Sequence, residues 1–152
     1  MTKILIPSET TSGERRVSAT PEAVKKLKSL GCDVYIESSA GKLSGFSDLL
    51  YEESGGIIIN NLGQNIWSEV DLIFCVQTPS KDNLTKLKKG AVLLGLLNPY
   101  GNKELLRIIN INKISALSLE LLPRISRAQS SDVLSSQANI AGYKQFFWLQ
   151  VS

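Results

Sequence analysis

The stretch DLIFCV, residues 71–76, decides the fold of this chain. It is almost continuously apolar, as is typical of a central strand in a parallel sheet, which is buried on both faces. Other short apolar runs lie before and after it, and segments of helical period separate them. This alternation predicts an α/β fold in which helices cover both faces of a parallel sheet. The predicted strands are residues 3–6, 33–37, 57–59, 71–76, 91–97 and 113–119.

Turn and cap residues bound the predicted helices. Thr20 and Pro21 start the first helix as N-cap and first helical residue, and Gly31 ends it. Three more helices are predicted over residues 47–54, 80–89 and 102–110, and no linker or repeat marks a second domain. The apolar residues expected to face the core are Ala23, Val24, Leu27 and Leu30 in the first helix and Leu105, Leu106, Ile108 and Ile109 in the last.

Composition excludes several classes of protein. The net charge of +3 over 152 residues is too small to indicate a nucleic-acid partner. The chain has no histidine, and Cys32 and Cys75 do not form a C-x-x-C pair, so we expect no metal site and two reduced thiols. The N-terminus does not resemble a secretory signal, and the apolar run 91–97 is far shorter than the ~20 residues that cross a bilayer. We therefore expect a soluble, cytoplasmic domain.

The polar segment LPRISRAQSSD, residues 122–132, concentrates the candidate chemistry. It brings Arg124 and Arg127, an amide and several hydroxyls to the start of a helix, where Ser130 or Ser131 is expected to act as the cap. Free backbone N–H groups and the positive end of the helix dipole favour an anionic or amide-rich ligand there. The alternative interpretation is that the arginines pair with surface carboxylates and the serines only cap the helix. Spacing alone slightly favours that alternative.

Four motifs, two near each end of the chain, carry a resemblance to a known family. The N-terminal part contains IPSE (6–9) and ERRVSATP (14–21), and the C-terminal part contains PRISRAQ (123–129) and LSSQANIAGY (134–143). Together they resemble the NAD-binding alpha subunit of proton-translocating nicotinamide nucleotide transhydrogenase, in the alanine dehydrogenase/transhydrogenase family. The resemblance covers about residues 1–144.

The resemblance implies a flavodoxin-like first subdomain, an α/β/α sandwich whose NAD(H) lies in a cleft against a second, Rossmann-type subdomain. Arg124 and Gln129 would approach the nicotinamide, with Gln129 at the catalytic face that meets the NADP(H)-bearing component. Asp132 and Ser135 would hydrogen-bond near the nicotinamide and complete the cofactor-binding set. Hydride would pass directly between the two nicotinamide rings, so no acid or base is needed at the reacting carbon.

The same resemblance implies partners. These are a Rossmann NAD-binding subdomain or chain, membrane and NADP-binding transhydrogenase subunits, and a second copy in a homodimer of the intact complex. Localisation at the inner face of the cytoplasmic membrane would then come from those partners.

Alanine dehydrogenase shares the N-terminal pattern but performs different chemistry. Its substrate-binding arginine would match Arg16, whereas its lysine and catalytic histidine fall at Gln77 and Asn98. An amino-acid dehydrogenase needs a group that exchanges a proton, and an amide does not do so near neutral pH. We therefore reject an alanine dehydrogenase activity.

Two features depart from the transhydrogenase pattern. The chain has no glycines at G-x-G spacing, which the pyrophosphate cradle of the family requires. Residues 145–152 also diverge, so we interpret residues 1–144 as the family domain and 145–152 as a divergent, truncated tail. We expect this chain alone to be inactive. Two hypotheses stay open at this point: a component of the transhydrogenase, or a non-catalytic remnant that binds a partner or ligand.

Overall fold

A computed structural model describes residues 1–60, 65–123 and 125–151, apart from the side chains of Ser130 and residues 145–151. Six strands form one sheet, and all five pairs of neighbouring strands are parallel. The strands are β1 Lys3–Ile6, β2 Asp33–Glu37, β3 Ile57–Ile59, β4 Leu72–Gln77, β5 Val92–Leu96 and β6 Ser115–Ser118. The helices are α1 Pro21–Ser29, α2 Asp48–Glu53, α3 Lys81–Thr85, α4 Lys103–Asn112 and α5 Val133–Val151.

The strand order is β3-β2-β1-β4-β5-β6. Without the three-residue edge strand β3, the order β2-β1-β4-β5-β6 is that of a flavodoxin-like sheet, which confirms the predicted fold. β1 pairs with β2 on one side and with β4 on the other, with Ile4 opposite Val34 and Leu72. The strand order reverses between β1 and β4, and ligands of open α/β sheets bind beyond the carboxyl ends of the strands at such a point.

Two apolar clusters cover the two faces of the sheet. Leu5 belongs to one and the adjacent Ile6 to the other, as the alternation of side chains along a strand requires. The first cluster includes Leu84 of α3 and Leu105 of α4. The second includes Val24 of α1 and Tyr51 of α2, whose hydroxyl donates to the Ala19 carbonyl at 2.9 Å. The helices therefore lie on both faces, and the predicted three-layer arrangement is confirmed.

Three details of the predicted helices are wrong. Leu30 and Leu106 are 77% and 42% exposed rather than turned to the core. Leu30 lies beyond the last residue of α1, where the chain turns at Gly31 with φ of 84°. α3 ends at Thr85 instead of Lys89, and Leu87 and Ala91 are both buried in the turn that leads from it into β5.

β6 and α5 are more exposed to solvent than the other strands and helices. Three of the four residues of β6, at the sheet edge, are exposed. Every residue of α5 from Leu134 to Lys144 is exposed, and α5 continues without a break to Val151. Across the described residues, no helix is long and apolar enough to cross a membrane.

Candidate functional site

The carboxyl ends of β1 and β4 are joined by Glu9, which follows β1. One carboxylate oxygen accepts from the Val76 backbone N–H at 2.6 Å and the other from the Gln77 N–H at 3.0 Å. Partial burial raises the pKa of Glu9, and these two hydrogen bonds oppose that effect only in part. Glu9 therefore fixes the loop after β1 against the end of β4.

Glu14 and Arg16 form a bidentate ion pair in the same loop. Arg16 Nε and Nη2 donate to the two Glu14 oxygens at 2.7 and 2.6 Å, and Gln77 Nε2 donates to Glu14 at 3.0 Å. The hydrogen bond from Arg16, with further hydrogen bonds from Gln77 and the Arg16 backbone, lowers the pKa of Glu14 to about 2. The Glu14 side chain is only 7% exposed, so this loop is not the solvated surface loop that its charges alone suggest.

A cavity of about 360 Å³ lies beside this ion pair, between the sheet and the start of α5. We call it the inner cavity. Arg16 lies on one side of it and Gln137 of α5 on the other, and Arg16 Nη1 donates to Gln137 Oε1 over 3.4 Å. Much of the remaining lining is apolar, from residues Val17, Phe46, Val76, Leu96, Leu119 and Val133.

Glu120 anchors the polar segment that follows β6. It lies in the short 3₁₀ helix Leu119–Leu121, and its carboxylate accepts from the backbone N–H groups of Leu97 and Asn98 at the end of β5. Partial burial opposes ionisation, but hydrogen bonds from backbone N–H groups outweigh it and lower the pKa of Glu120. The segment with the candidate residues is therefore fixed to the sheet by an ionised carboxylate.

Asp132 caps α5 in place of the predicted Ser131, and the Ser130 side chain lies outside the described residues. Its Oδ1 accepts from the backbone N–H groups of Leu134 and Ser135 at 3.1 and 3.0 Å, and Ser135 Oγ donates to its Oδ2 at 2.6 Å. Aspartate is as good an N-cap as serine, and its negative charge also interacts favourably with the positive end of the helix dipole. Two of the first N–H groups of α5 are thus bonded to the cap side chain.

A second cavity, of about 300 Å³, lies on the other side of this cap. We call it the outer cavity. Three of the four predicted site residues line it together: Gln129 within the 3₁₀ helix Ser126–Ser131, then Asp132 and Ser135. Gln129 and Ser135 are exposed to solvent, while Asp132 is half-buried. Arg124, the fourth predicted residue, lies outside the described residues, and Arg127 is exposed.

The two positions that distinguish alanine dehydrogenase have structural roles here. Gln77 donates to Glu14 as described above, and Asn98 adopts φ of 45° in the turn after β5. The Asn98 side chain packs against Gly101, where an added Cβ would lie 2.6 Å from Asn98 Nδ2.

Sequence reasoning missed three residues of this region. Glu9 and Glu14 stood out only as charges in a loop and, like Gln137, as members of the family motifs. Their contacts span 67, 63 and 121 residues of sequence, so no local pattern pairs them. The position of Glu9 and Glu14 after the first strand was the one available signal, because that loop meets the end of a central strand in such a sheet.

Comparisons with known proteins agree with this geometry. The family described as "Alanine dehydrogenase/PNT, N-terminal domain" matches residues 5–141. A chain of the NAD(P) transhydrogenase alpha subunit of Rhodospirillum rubrum is 41% identical, over 93% of this chain and 38% of the relative. The "NAD(P) transhydrogenase subunit alpha" of Haemophilus influenzae is 39% identical, over 91% of this chain and 27% of the relative.

Solved structures give the same result. A transhydrogenase from Sinorhizobium meliloti superposes with a TM-score of 0.87 and 40% identity, over 93% of this chain and 42% of the other. An L-alanine dehydrogenase superposes with a TM-score of 0.72 and 26% identity, over 78% of this chain and 32% of the other. The chain thus spans about two fifths or less of the length of these proteins. It belongs to the alanine dehydrogenase/PNT N-terminal domain family, as its motifs predicted.

Proposed function

We propose that this chain is the N-terminal domain of the NAD(H)-binding alpha component of a proton-translocating NAD(P) transhydrogenase, and that its outer cavity receives the nicotinamide end of NAD(H). The observation that carries the proposal is the convergence of Gln129, Asp132 and Ser135 on one cavity. The transhydrogenase relatives support the same proposal through their names.

The residues of the outer cavity fit a nicotinamide. Its carboxamide both donates and accepts hydrogen bonds, and the cavity offers an amide, a hydroxyl and a carboxylate to match. A volume of about 300 Å³ is at the lower end of the roughly 300–1,000 Å³ of small-molecule pockets. The cavity therefore suits the nicotinamide end, and we assign the pyrophosphate and adenosine to a Rossmann-type domain outside this chain.

Each residue has a distinct part in this proposal. Asp132 holds Ser135 through the hydrogen bond at 2.6 Å, which keeps the hydroxyl oriented at the cavity wall. Gln129, on the exposed side, faces the partner component that carries NADP(H), and Arg124 is proposed to bind the nicotinamide carboxamide. The bound cofactor supplies the hydride chemistry itself, and the protein supplies position and exclusion of water.

Alanine dehydrogenase chemistry fits the site less well. Arg16 has Nε and Nη2 occupied by Glu14, and the amides of Gln77 and Asn98 do not exchange a proton near neutral pH.

The exposed face of α5 supports the proposal that other protein domains bind this chain. We propose that the Rossmann-type domain packs along its residues 134–144, and that membrane and NADP-binding subunits and a second copy complete the assembly. The domain boundary at residue 144 is part of the same proposal.

The test is NADH binding, measured by fluorescence, to the chain alone and mixed with a Rossmann-type domain of a transhydrogenase alpha subunit. We expect binding only in the mixture. Ser135→Ala should weaken it about 3- to 10-fold, as expected for loss of one hydrogen bond. Ser136→Ala is the matched control, since Ser136 is in the same helical turn but bonds to the Asp132 carbonyl and does not line the outer cavity.

In an assembly that transfers hydride, Gln129→Ala and Arg124→Ala should lower the rate, whereas Asn110→Ala and Arg107→Ala on α4 should not. If no NADH binds in the mixture, the proposed function is wrong. If the mixture binds but Ser135→Ala and Ser136→Ala behave alike, the nicotinamide lies elsewhere.

A further inference from the structure

We propose that Arg16 is a positioning residue: held by Glu14, it fixes α5 through Gln137 and so sets Asp132 and Ser135 in place at the outer cavity. This inference rests on the proposed function for its consequence, but its structural part can be tested without any cofactor.

The first step is that the Arg16 guanidinium is itself fixed. Its Nε and Nη2 both donate to Glu14, and Glu14 also accepts from the Arg16 backbone N–H and from Gln77 at the end of β4. An arginine held at two nitrogens presents its third in one direction. That nitrogen, Nη1, faces Gln137 across the inner cavity.

The second step is that little else fixes the start of α5. The inner cavity separates its first turns from the sheet, and its residues 134–144 are exposed. Among the side chains that the structure describes, the bond from Arg16 to Gln137 is the one hydrogen bond between α5 and the first 118 residues. Val133 lines the same cavity, and α5 also contacts the 3₁₀ helix Leu119–Leu121.

The third step is that the two walls of the outer cavity reach the sheet through different contacts, although one long hydrogen bond, from the Asp132 N–H to the Gln129 carbonyl at 3.4 Å, joins them. Gln129 belongs to the segment that Glu120 fixes to the end of β5. Ser135 belongs to α5, and Gln137 follows it by two residues, or about 3 Å along the helix axis. Loss of the Arg16 contact would therefore let Ser135 move relative to Gln129. Arg16 itself does not line the outer cavity.

Hydrogen exchange of the full chain tests this, with the peptides from α5 compared with those from β5. Arg16→Gln and Gln137→Leu should each speed exchange in residues 133–144 about 3- to 10-fold, the effect of one net hydrogen bond on local opening. Exchange in residues 92–96 should not change. Arg15→Gln is the matched control, because Arg15 is exposed and lines neither cavity.

Two further variants separate this contact from a general loss of structure. Gln137→Glu keeps an acceptor for the guanidinium, so its exchange should be no faster than that of the unmodified chain. The double variant R16Q/Q137L should exchange no faster than either single variant, because both remove the same contact. If Arg16→Gln leaves α5 exchange unchanged, or if the two substitutions add, the inference is wrong.

NADH binding in the complemented mixture tests the consequence. Arg16→Gln should weaken binding about 3- to 10-fold, and Arg15→Gln should not. If Arg16→Gln speeds exchange but binds NADH as tightly as the unmodified chain, Arg16 does not position the site. If the unmodified mixture binds no NADH while the exchange results hold, the proposed function fails and the structural link stands.

Discussion

The sheet and the segment that follows it are built in opposite ways. Between residues 3 and 97, strand side chains such as Ile36, Ile73 and Leu93 are completely buried. Between residues 119 and 144, most residues are exposed, and both cavities draw on this segment. The candidate cofactor residues all belong to the second region. The difference indicates that the sheet supplies stability, while the segment supplies an open surface, where we place the proposed partner domain.

A matched pair of isoleucine substitutions gives the sharpest test of this contrast. Ile73 in β4 has no exposed surface, whereas Ile140 in α5 is 62% exposed. Ile73→Ala should lower the free energy of unfolding by about 2–5 kcal/mol through lost burial and a residual cavity. Ile140→Ala should change it by less than about 0.5 kcal/mol. Urea denaturation followed by circular dichroism measures both values. Similar losses for the two variants would mean that α5 is packed as tightly as the sheet.

A pair of glycines tests the same contrast through added volume. A Cβ at Gly95 in β5 would lie 2.6 Å from the Cys75 carbonyl oxygen, a backbone atom that cannot move aside, and 2.7 Å from Cys75 Sγ. Gly95→Ala should therefore destabilise the chain by about 1–3 kcal/mol. An added Cβ at Gly142 in α5 would meet none of the described atoms within 4 Å, apart from those of its own helix backbone and chain neighbours.

Gly142→Ala should therefore stabilise α5 by up to about 1 kcal/mol, from the higher helix propensity of alanine. Thermal unfolding of both variants shows whether each substitution lowers or raises the stability of the chain. Destabilisation by Gly142→Ala would show that another surface already packs closely against α5.

The sequence predicted correctly the features that depend on interactions between residues close together in the chain. Strand positions follow from short apolar runs, and Thr20 caps α1 as predicted because a hydroxyl beside a proline at the first helical position is a strong start signal. The same reasoning failed at Leu106, because the helix carries four apolar residues close together and apolar character alone does not decide which of them meet the core.

In the candidate site, too, some features could be predicted from the sequence and others only from the structure. Gln129, Asp132 and Ser135 are close in sequence, so a family motif contains them all, and the structure brings them to one cavity. The choice of Asp132 over Ser131 as cap depends on where the preceding 3₁₀ helix ends, which composition does not specify. The network of Glu9, Glu14 and Gln137 joins distant parts of the chain and needed the fold to be known.

Glu14 holds Arg16, and Arg16 bonds to Gln137 in the second region. The titration of Glu14 is therefore a smaller test of how the two regions are connected. The pKa of Glu14 is about 2 in the folded chain, against 4.5 for an unperturbed glutamate. A lowered pKa contributes stability that is complete above 4.5 and is lost as the pH falls from 4.5 toward 2. Glu9 acts in the opposite direction, since its raised pKa favours the folded state at low pH.

Comparison of the unmodified chain with Glu14→Gln reports mainly on Glu14, because Glu9 is present in both and burial, the main cause of its pKa shift, is the same. Since the Arg16 side chain is 40% exposed, solvent screening reduces the effect, and we expect about 1–2 kcal/mol. Urea denaturation at pH 5 and pH 3 should therefore show the unmodified chain losing more stability than the variant over this interval. If both lose the same amount, the ion pair adds no stability, and Arg16 would have to be held by something other than the charge of Glu14.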